Sequence, residues 1–159
     1  MEEREVSTSI SDTLAAANIE LPEPAAAAAA YEPTKRLGDQ LFVSGQLPLR
    51  DGSLVATGTV GGDVDLDSAQ DAAASCAAQV LAQAQRALGD LESIRDLAKI
   101  TVFVDSAPGF SDQHLVANAA STFFQTALGE RGNHSRSAIG VAGLPMNAAV
   151  EVEAVFELG

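Results

Sequence analysis

The sequence contains one cysteine, no tryptophan, two histidines and only nine lysine and arginine residues. The single cysteine, Cys76, excludes an intrachain disulfide and a cysteine-rich zinc site, and it fits a reducing compartment best. Aspartate and glutamate together number 22, so the formal net charge is −13. Because such a surplus repels nucleic-acid phosphates and anionic lipid headgroups, we expect neither a nucleic-acid-binding protein nor a membrane-surface protein.

Long apolar runs are also lacking, so no segment predicts a membrane span. The N-terminus, Met-Glu-Glu-Arg-Glu, has neither the basic start nor the apolar run of a secretory signal, and we expect a cytoplasmic protein. The chain does contain 47% hydrophobic residues in a length of 159, although only 4% are aromatic. That is enough Ala, Val, Leu and Ile to build the core of one domain.

The first thirty residues differ in composition from the rest of the chain. They contain a polar start, a short helical pattern from about Ser11 to Asn18, two prolines and six consecutive alanines. Such a segment cannot form a core alone, although Leu14, Ile19 and Leu21 could dock on one. We therefore divide the chain into an N-terminal arm, 1–30, and a domain, 31–159.

Two longer helices are predicted within the domain. Asp67 and Gln70 resemble a capping box, and apolar residues at helical spacing follow until Gly89. The second helix follows Ser111, a potential N-cap, and ends at Leu128.

Strand patterns surround these helices. The predicted strands are 41–43, a short run at 54–55 after a turn at 50–52, then 97–104, 138–141 and 148–158. In the third of them, alternation places Ala98, Ile100, Val102 and Val104 on one face. The pattern predicts an α+β domain, with a small mixed sheet and both helices on one face.

Four segments, in this order, resemble one known family. They are Ser-Gly-Gln-Leu-Pro at 44–48, Lys-Ile-Thr-Val-Phe-Val at 99–104, Arg-Ser-Ala-Ile-Gly-Val-Ala-Gly-Leu-Pro at 136–145 and Val-Glu-Val-Glu-Ala at 150–154. Together they resemble the Rid family of enamine/imine deaminases, also called the YjgF family, in an arginine-containing branch with a longer N-terminal arm. The resemblance implies a chorismate-mutase-like α+β domain that forms a homotrimer, with ligand sites in clefts between subunits.

The resemblance also implies roles for individual residues. Arg136 matches the arginine that binds the substrate carboxylate, and Glu151 matches the glutamate that positions or activates water. Tyr31, Ser44, Gly45 and Asn118 match residues that line the pocket or close its floor. Ala138 departs from the family, whose members often have Cys or Thr there, and the physiological substrate stays open.

These residue types suit the hydrolysis of 2-imino and 2-enamino acids to 2-oxo acids and ammonia. A guanidinium binds a planar carboxylate at two points, and a carboxylate can take a proton from water. The chemistry requires no metal and no organic cofactor, and the expected partners are a small carboxylate substrate and further copies of the chain. We therefore expect an enzyme, a hydrolase like the 2-iminobutanoate/2-iminopropanoate deaminases.

The relative placement of Arg136 and Glu151 is a separate question. A simple hairpin through 143–147 sets Arg136 opposite Ala154 and Glu151 opposite Ile139. The two side chains would then face opposite sides of the sheet, so that an adjoining subunit supplies one of them unless a bulge intervenes.

Plainer interpretations stay open at this point. Glu151 alternates with apolar residues as any solvated strand residue does, and Arg136 could be a surface arginine. His114 and His134 fit solvated or capping roles better than metal ligation. At the level of function, the alternatives are a binding module that holds a carboxylate metabolite without turnover and, ranked last because of the charge, an endoribonuclease.

Overall fold

The computed structural model describes residues 8–27 and 29–159. Helices α1, α2 and α3 are Ile10–Ala16, Leu66–Leu88 and Gln113–Leu128, and short 3-10 turns cover Gly129–Gly132 and Pro145–Asn147. Strands β1 to β7 are Thr34–Leu37, Gln40–Gln46, Leu49–Arg50, Ser53–Leu54, Ile94–Asp105, Ser135–Val141 and Val150–Leu158.

Five of the strands form one mixed sheet in the order β1-β2-β7-β5-β6. β5 and β6 are parallel, and the other neighbours are antiparallel. α2 and α3 pack together and against the same face of this sheet, where Ile100 and Val152 are fully buried. The predicted α+β architecture is confirmed, since both helices cover one face of a small mixed sheet and leave the other face open.

Alanine shapes the interior of this layer. Six alanines of α2 are buried, together with Cys76 and Val80. Small side chains allow the long helix to approach both α3 and the sheet closely, so a core with few aromatic residues is still densely packed.

The predicted hairpin between the last two strands is wrong. β5 lies between β6 and β7, pairing in parallel with β6 and antiparallel with β7. The residues predicted to face each other still share a row across the sheet, with one residue of β5 between them. Ile100 stands opposite both Arg136 and Ala154, and Phe103 stands opposite both Ile139 and Glu151. A parallel neighbour of β5 requires a long crossover, and α3 supplies it.

Because of two bulges, the buried face of β5 differs in part from the predicted one. Its register with β7 shifts between Ile94 and Asp96 and again between Leu97 and Lys99. As a result Leu97 is buried and Ala98 is exposed, whereas Ile100, Val102 and Val104 lie on the buried face as predicted. A bulge adds one residue and reverses the alternation on one side of it, which no simple periodicity anticipates.

The helix starts also differ in detail from the prediction. α2 begins two residues earlier than the capping box implied, because Asp65 and not Asp67 is the N-cap. The Asp65 carboxylate accepts a hydrogen bond from the Ser68 N–H at 2.8 Å. Asp67 instead lies inside the first turn. α3 has Asp112 at its N-cap position with no side-chain cap, so Ser111 does not cap it.

After β2, the turn predicted at 50–52 joins β3 to β4 in a small hairpin. Asp51 and Gly52 both adopt positive φ, as a tight turn requires. β2 itself pairs with β7 and with β1, a strand the sequence pattern missed.

The N-terminal arm docks on the domain. Ile10 and Leu14 of α1 are buried, and Ile19 and Leu21 pack against the core. The Glu92 carboxylate accepts hydrogen bonds from the N–H groups of Ile10 and Ser11, at 3.2 and 3.0 Å. These contacts hold α1 against the domain.

Candidate functional site

A bulge in β2 creates the contact around which the site is built. The pairing of β2 with β7 shifts between Val43 and Gln46, so Ser44 and Gly45 stand outside the regular ladder. The Glu151 side chain occupies the space this leaves, since a Cβ placed on Gly45 would lie 2.8 Å from Glu151 Cδ and closer still to Oε1. Only glycine allows the carboxylate to lie directly against the main chain there.

This position changes the acidity of Glu151. The side chain is partly buried. Burial raises the pKa of the Glu151 carboxyl, and the negative charge of Glu153 raises it further. A carboxylate with a raised pKa is a stronger base than an ordinary glutamate, which is what proton removal from water needs.

Ser44 fixes the segment that precedes β1. Its N–H donates to the Pro33 carbonyl at 2.9 Å, and its hydroxyl donates to the Glu32 carbonyl at 2.8 Å. Tyr31, at the head of this segment, is 47% exposed. The structure thus brings Tyr31, Ser44 and Gly45 to one region beside Glu151.

A small cavity of about 80 Å³ adjoins Gly45. The arm forms one wall, and the lining residues are Ala25, Ala26, Ala27, Tyr31, Pro33, Gly45, Gln46, Leu47, Leu49, Gln83 and Met146. The arm is anchored here because Gln79 Oε1 accepts from the Ala25 N–H at 3.2 Å and Gln83 Nε2 donates to the Ala25 carbonyl at 2.6 Å. The lining is mostly apolar, as small-molecule subsites usually are.

Arg136 lies on β6 and contacts α3. Its Nη1 donates to Asn118 Oδ1 and to Ser121 Oγ, each at 3.0 Å, and its Nη2 donates to the His114 carbonyl at 3.2 Å. A guanidinium has five N–H donors, so the described contacts leave the Nε–H and one Nη2–H. Two donors are what a two-point carboxylate contact requires.

Asn118 and Ala138 are placed around Arg136 as follows. Asn118 is exposed on α3 and contacts the guanidinium directly. Ala138 lies two residues along β6, partly buried and packed against the core. The methyl group there presents no functional group beside Arg136.

Arg136 and Glu151 do not meet within one chain. Arg136 shares its row with Ile100 and Ala154, which are buried under the helices. Glu151 shares its row with Phe103 and Ile139, on the opposite face, where Ile139 is 42% exposed. This agrees with the predicted orientation of the two side chains, although the strand order differs from the predicted one.

The open face of the sheet is shallowly concave. Its concavity measures about 410 Å³, and the residues that line it from this face include Phe42, Ser44, Lys99, Thr101, Glu153 and Val155. Phe42 is 38% exposed on this face.

Sequence reasoning missed two residues near Arg136. Ser121 lies between Arg136 and His134, with its Oγ 2.8 Å from His134 Nε2. A signal was present, because His134 precedes Arg136 by two residues and so shares its side of the chain in an extended segment. Ser121, in contrast, reaches the site only through the packing of α3.

Three further observations concern the cysteine, metal ligands and membrane spans. Cys76 is fully buried, and burial raises the pKa of its thiol well above the ordinary value, as expected for a small apolar helix residue. Over residues 8–27 and 29–159, no cluster of three or more His, Cys, Asp or Glu side chains is arranged to hold a metal ion. In the same residues, no helix combines the length and the apolar character needed to cross a membrane.

Comparison with known proteins gives a consistent result. Residues 11–158 match the profile of a family described as "YjgF/chorismate mutase-like, putative endoribonuclease". Protein TCP17 of Trypanosoma cruzi is 47% identical over 141 residues, which cover 88% of this chain and 88% of that protein. The range matched by the family profile begins within α1, so it includes most of the N-terminal arm.

Solved structures agree with this match. The crystal structure of the protein Atu1372 from Agrobacterium tumefaciens has a TM-score of 0.87 at 47% identity, covering 94% of this chain and 92% of that one. The crystal structure of E. coli TdcF with bound serine has a TM-score of 0.62 at 27% identity, covering 86% of this chain and 94% of that one.

Proposed function

Because the chain belongs to the YjgF/chorismate mutase-like family, we propose that it hydrolyses reactive 2-imino and 2-enamino acids to 2-oxo acids and ammonia. The observation that carries this proposal is the Glu151 carboxylate, held against Gly45 with a raised pKa. A solvated strand residue would need neither the bulge nor the glycine.

The reaction needs one carboxylate contact and one base. Arg136, with two N–H groups left by its contacts to α3, binds the substrate carboxylate. Glu151 takes a proton from water as the water oxygen bonds to the C=N carbon, and the proton passes to nitrogen. In the resulting carbinolamine, the hydroxyl proton moves to the amino nitrogen as the C–N bond breaks, which releases ammonia and forms the C=O of the 2-oxo acid with no change in oxidation state. An enamine first takes a proton at carbon and loses one from nitrogen, which gives the imine.

The complete site requires two copies of the chain. Since Arg136 and Glu151 lie on opposite faces, Arg136 of one copy meets Glu151 of a neighbour in a cleft between subunits. The open face supports such assembly, because the exposed Phe42 and Ile139 would otherwise remain in contact with water. We propose a homotrimer, which light scattering at micromolar concentration tests; a monomer would contradict both the assembly and the shared site.

The structure of E. coli TdcF supports the choice of ligand. The structure of TdcF holds serine, a small amino acid with a free carboxylate. This supports a carboxylate ligand for the present chain. The mostly apolar cavity beside Gly45 is consistent with a small substrate side chain.

A coupled assay tests the proposal. An amino-acid oxidase generates imines of varied side chain in place, and release of 2-oxo acid is followed with wild type and with Arg136→Ala. We expect wild type to accelerate release and the Arg136→Ala variant to lose about 10- to 100-fold of that acceleration. Equal rates with and without wild type, for every imine, would contradict the deaminase.

The second candidate is a binding module of the same fold. Ligand held by Arg136 without turnover would leave Glu151 without a chemical role, so tight binding of 2-oxo acids together with no acceleration favours this alternative. Endoribonuclease activity, named in the family description, is disfavoured by the net charge of −13.

A further inference from the structure

Behind Arg136 lies a chain of hydrogen bonds that the proposed reaction does not itself use. Arg136 Nη1 contacts Ser121 Oγ at 3.0 Å, and Ser121 Oγ contacts His134 Nε2 at 2.8 Å. His134 Nδ1 contacts the Gly132 carbonyl. The chain therefore runs from the guanidinium through α3 to the 3-10 turn that follows it.

The direction of each hydrogen bond follows from what each group can donate. Arginine only donates, so Ser121 Oγ is the acceptor in its contact with Arg136. The single hydroxyl hydrogen of Ser121 is then free to donate to His134 Nε2. A carbonyl only accepts, so His134 Nδ1 carries the hydrogen towards Gly132. Each donor finds an acceptor when His134 is neutral and protonated at Nδ1.

Packing also fixes His134. The Phe124 ring meets the imidazole edge to face, with ring centroids 6.3 Å apart. Gly132 is itself confined, since a Cβ there would lie 2.8 Å from the carbonyl carbon of Phe124 and closer to its oxygen. Phe124 is fully buried, so the imidazole is supported by the core.

We propose that Ser121 and His134 are a positioning pair that fixes the guanidinium of Arg136 for its carboxylate ligand. The inference rests on the proposed role of Arg136. An arginine side chain has many rotamers, and holding it in one before binding removes an entropic cost from the binding step. Neither Ser121 nor His134 contacts the substrate; they act through Arg136.

Four variants separate positioning from a general structural role. Ser121→Ala removes the acceptor, and His134→Phe removes the acceptor of Ser121 while keeping an aromatic ring against Phe124. Ser121→Thr keeps the hydroxyl, and Thr122→Ala, at an exposed neighbouring position on α3, is the matched control. Each is measured in the wild-type and Arg136→Ala backgrounds.

Two measurements are made on the full chain. Solvent exchange of the Arg136 Nε–H, followed by NMR, reports how firmly the guanidinium is held, with or without ligand. Calorimetric Kd values for 2-oxobutanoate, an unreactive carboxylate probe, report the effect on binding. Thermal unfolding and light scattering confirm that fold and assembly are kept.

We expect Ser121→Ala and His134→Phe to speed Nε–H exchange and to weaken binding about 3- to 10-fold. Ser121→Thr and Thr122→Ala should match wild type, and Ser121→Ala should add nothing in the Arg136→Ala background. Unchanged exchange in Ser121→Ala would overturn the inference. If Arg136→Ala abolishes binding, a second result would also overturn the inference. That result is faster Nε–H exchange in Ser121→Ala with an unchanged Kd for 2-oxobutanoate.

The proposed function fails separately. If Arg136→Ala leaves the binding of 2-oxobutanoate unchanged, or wild type binds none, Arg136 is not the carboxylate-binding residue. Nε–H exchange alone then decides whether Ser121 and His134 hold the guanidinium.

Discussion

Arg136 and Glu151 lie on opposite faces of the same sheet, with β5 between their strands. Arg136 points to the helical side, where α3 supplies three hydrogen-bond acceptors, and Glu151 lies on the open side against Gly45. One chain therefore cannot by itself bring together the guanidinium and the carboxylate of the proposed site.

The first prediction concerns the geometry of the carboxylate contact. Arg136→Lys should fail nearly as badly as Arg136→Ala, because lysine keeps the charge but loses the planar two-point contact. We expect kcat/KM for imine hydrolysis to fall about 10- to 100-fold in both variants, with the trimer intact. Activity of the lysine variant near wild type would show that charge alone suffices.

Glu151→Gln should separate chemistry from binding. The amide keeps the shape but cannot take a proton, so turnover should fall about 100-fold or more. The Kd for 2-oxobutanoate should change little, since Arg136 holds the carboxylate. If turnover and binding both stay at wild-type levels, Glu151 is only a solvated strand residue.

The raised pKa of Glu151 predicts the pH dependence of turnover. The base is the ionised form, so activity should decline on acidification at a pH above that expected for an ordinary glutamate. Glu153→Gln removes a neighbouring negative charge and should lower the pKa of Glu151, moving the acid limb of the kcat profile to lower pH. An acid limb that stays in place would mean that another group controls it.

The same pKa has a consequence for stability. A carboxyl whose pKa is raised by folding favours the native state most when it is protonated, and this contribution is lost as pH rises through the folded-state pKa. At neutral pH, Glu151→Gln should therefore unfold at a higher temperature than wild type, and the difference should disappear in acid. Stability would then be exchanged for activity at this position.

Gly45→Ala tests the close approach of Glu151 to the main chain. The added methyl group overlaps the Glu151 carboxylate, so that side chain must move. Turnover should drop at least 10-fold while the fold is kept, because a misplaced catalytic group costs about this much or more. Gly143→Ala is the control, since a Cβ there meets nothing within 4 Å. Equal activity in the two variants would contradict the assigned position of Glu151.

Much of the fold could be predicted because its signals are local. The Ala-rich helix up to Gly89 and the turn at Asp51 and Gly52 depend on residues close in sequence, and both occur as predicted. The order of strands could not be predicted this way. β5 lies between β6 and β7 because α3 returns the chain in parallel to it, a long-range arrangement that hairpin periodicity does not encode.

The candidate site also combines residues that local motifs identify with residues that only tertiary packing brings together. Residues named through motifs, such as Arg136 and Glu151, occupy positions with specific contacts to α3 and to Gly45. Ser121 belongs to no motif, and it enters the site only because α3 packs beside β6. The bulge at 44–45 depends on pairing with β7, more than a hundred residues away in sequence.

Mixed assemblies test the central claim most directly. Arg136→Ala and Glu151→Gln subunits, each strongly impaired alone, are co-expressed in equal amounts with different tags, and mixed trimers are purified for the imine hydrolysis assay. If Arg136 of one copy acts with Glu151 of its neighbour, the purified mixed trimers should recover roughly a third of wild-type activity, because one of the three sites in each mixed trimer receives both intact residues. Activity that stays at the level of the parent variants would contradict a site shared between two copies.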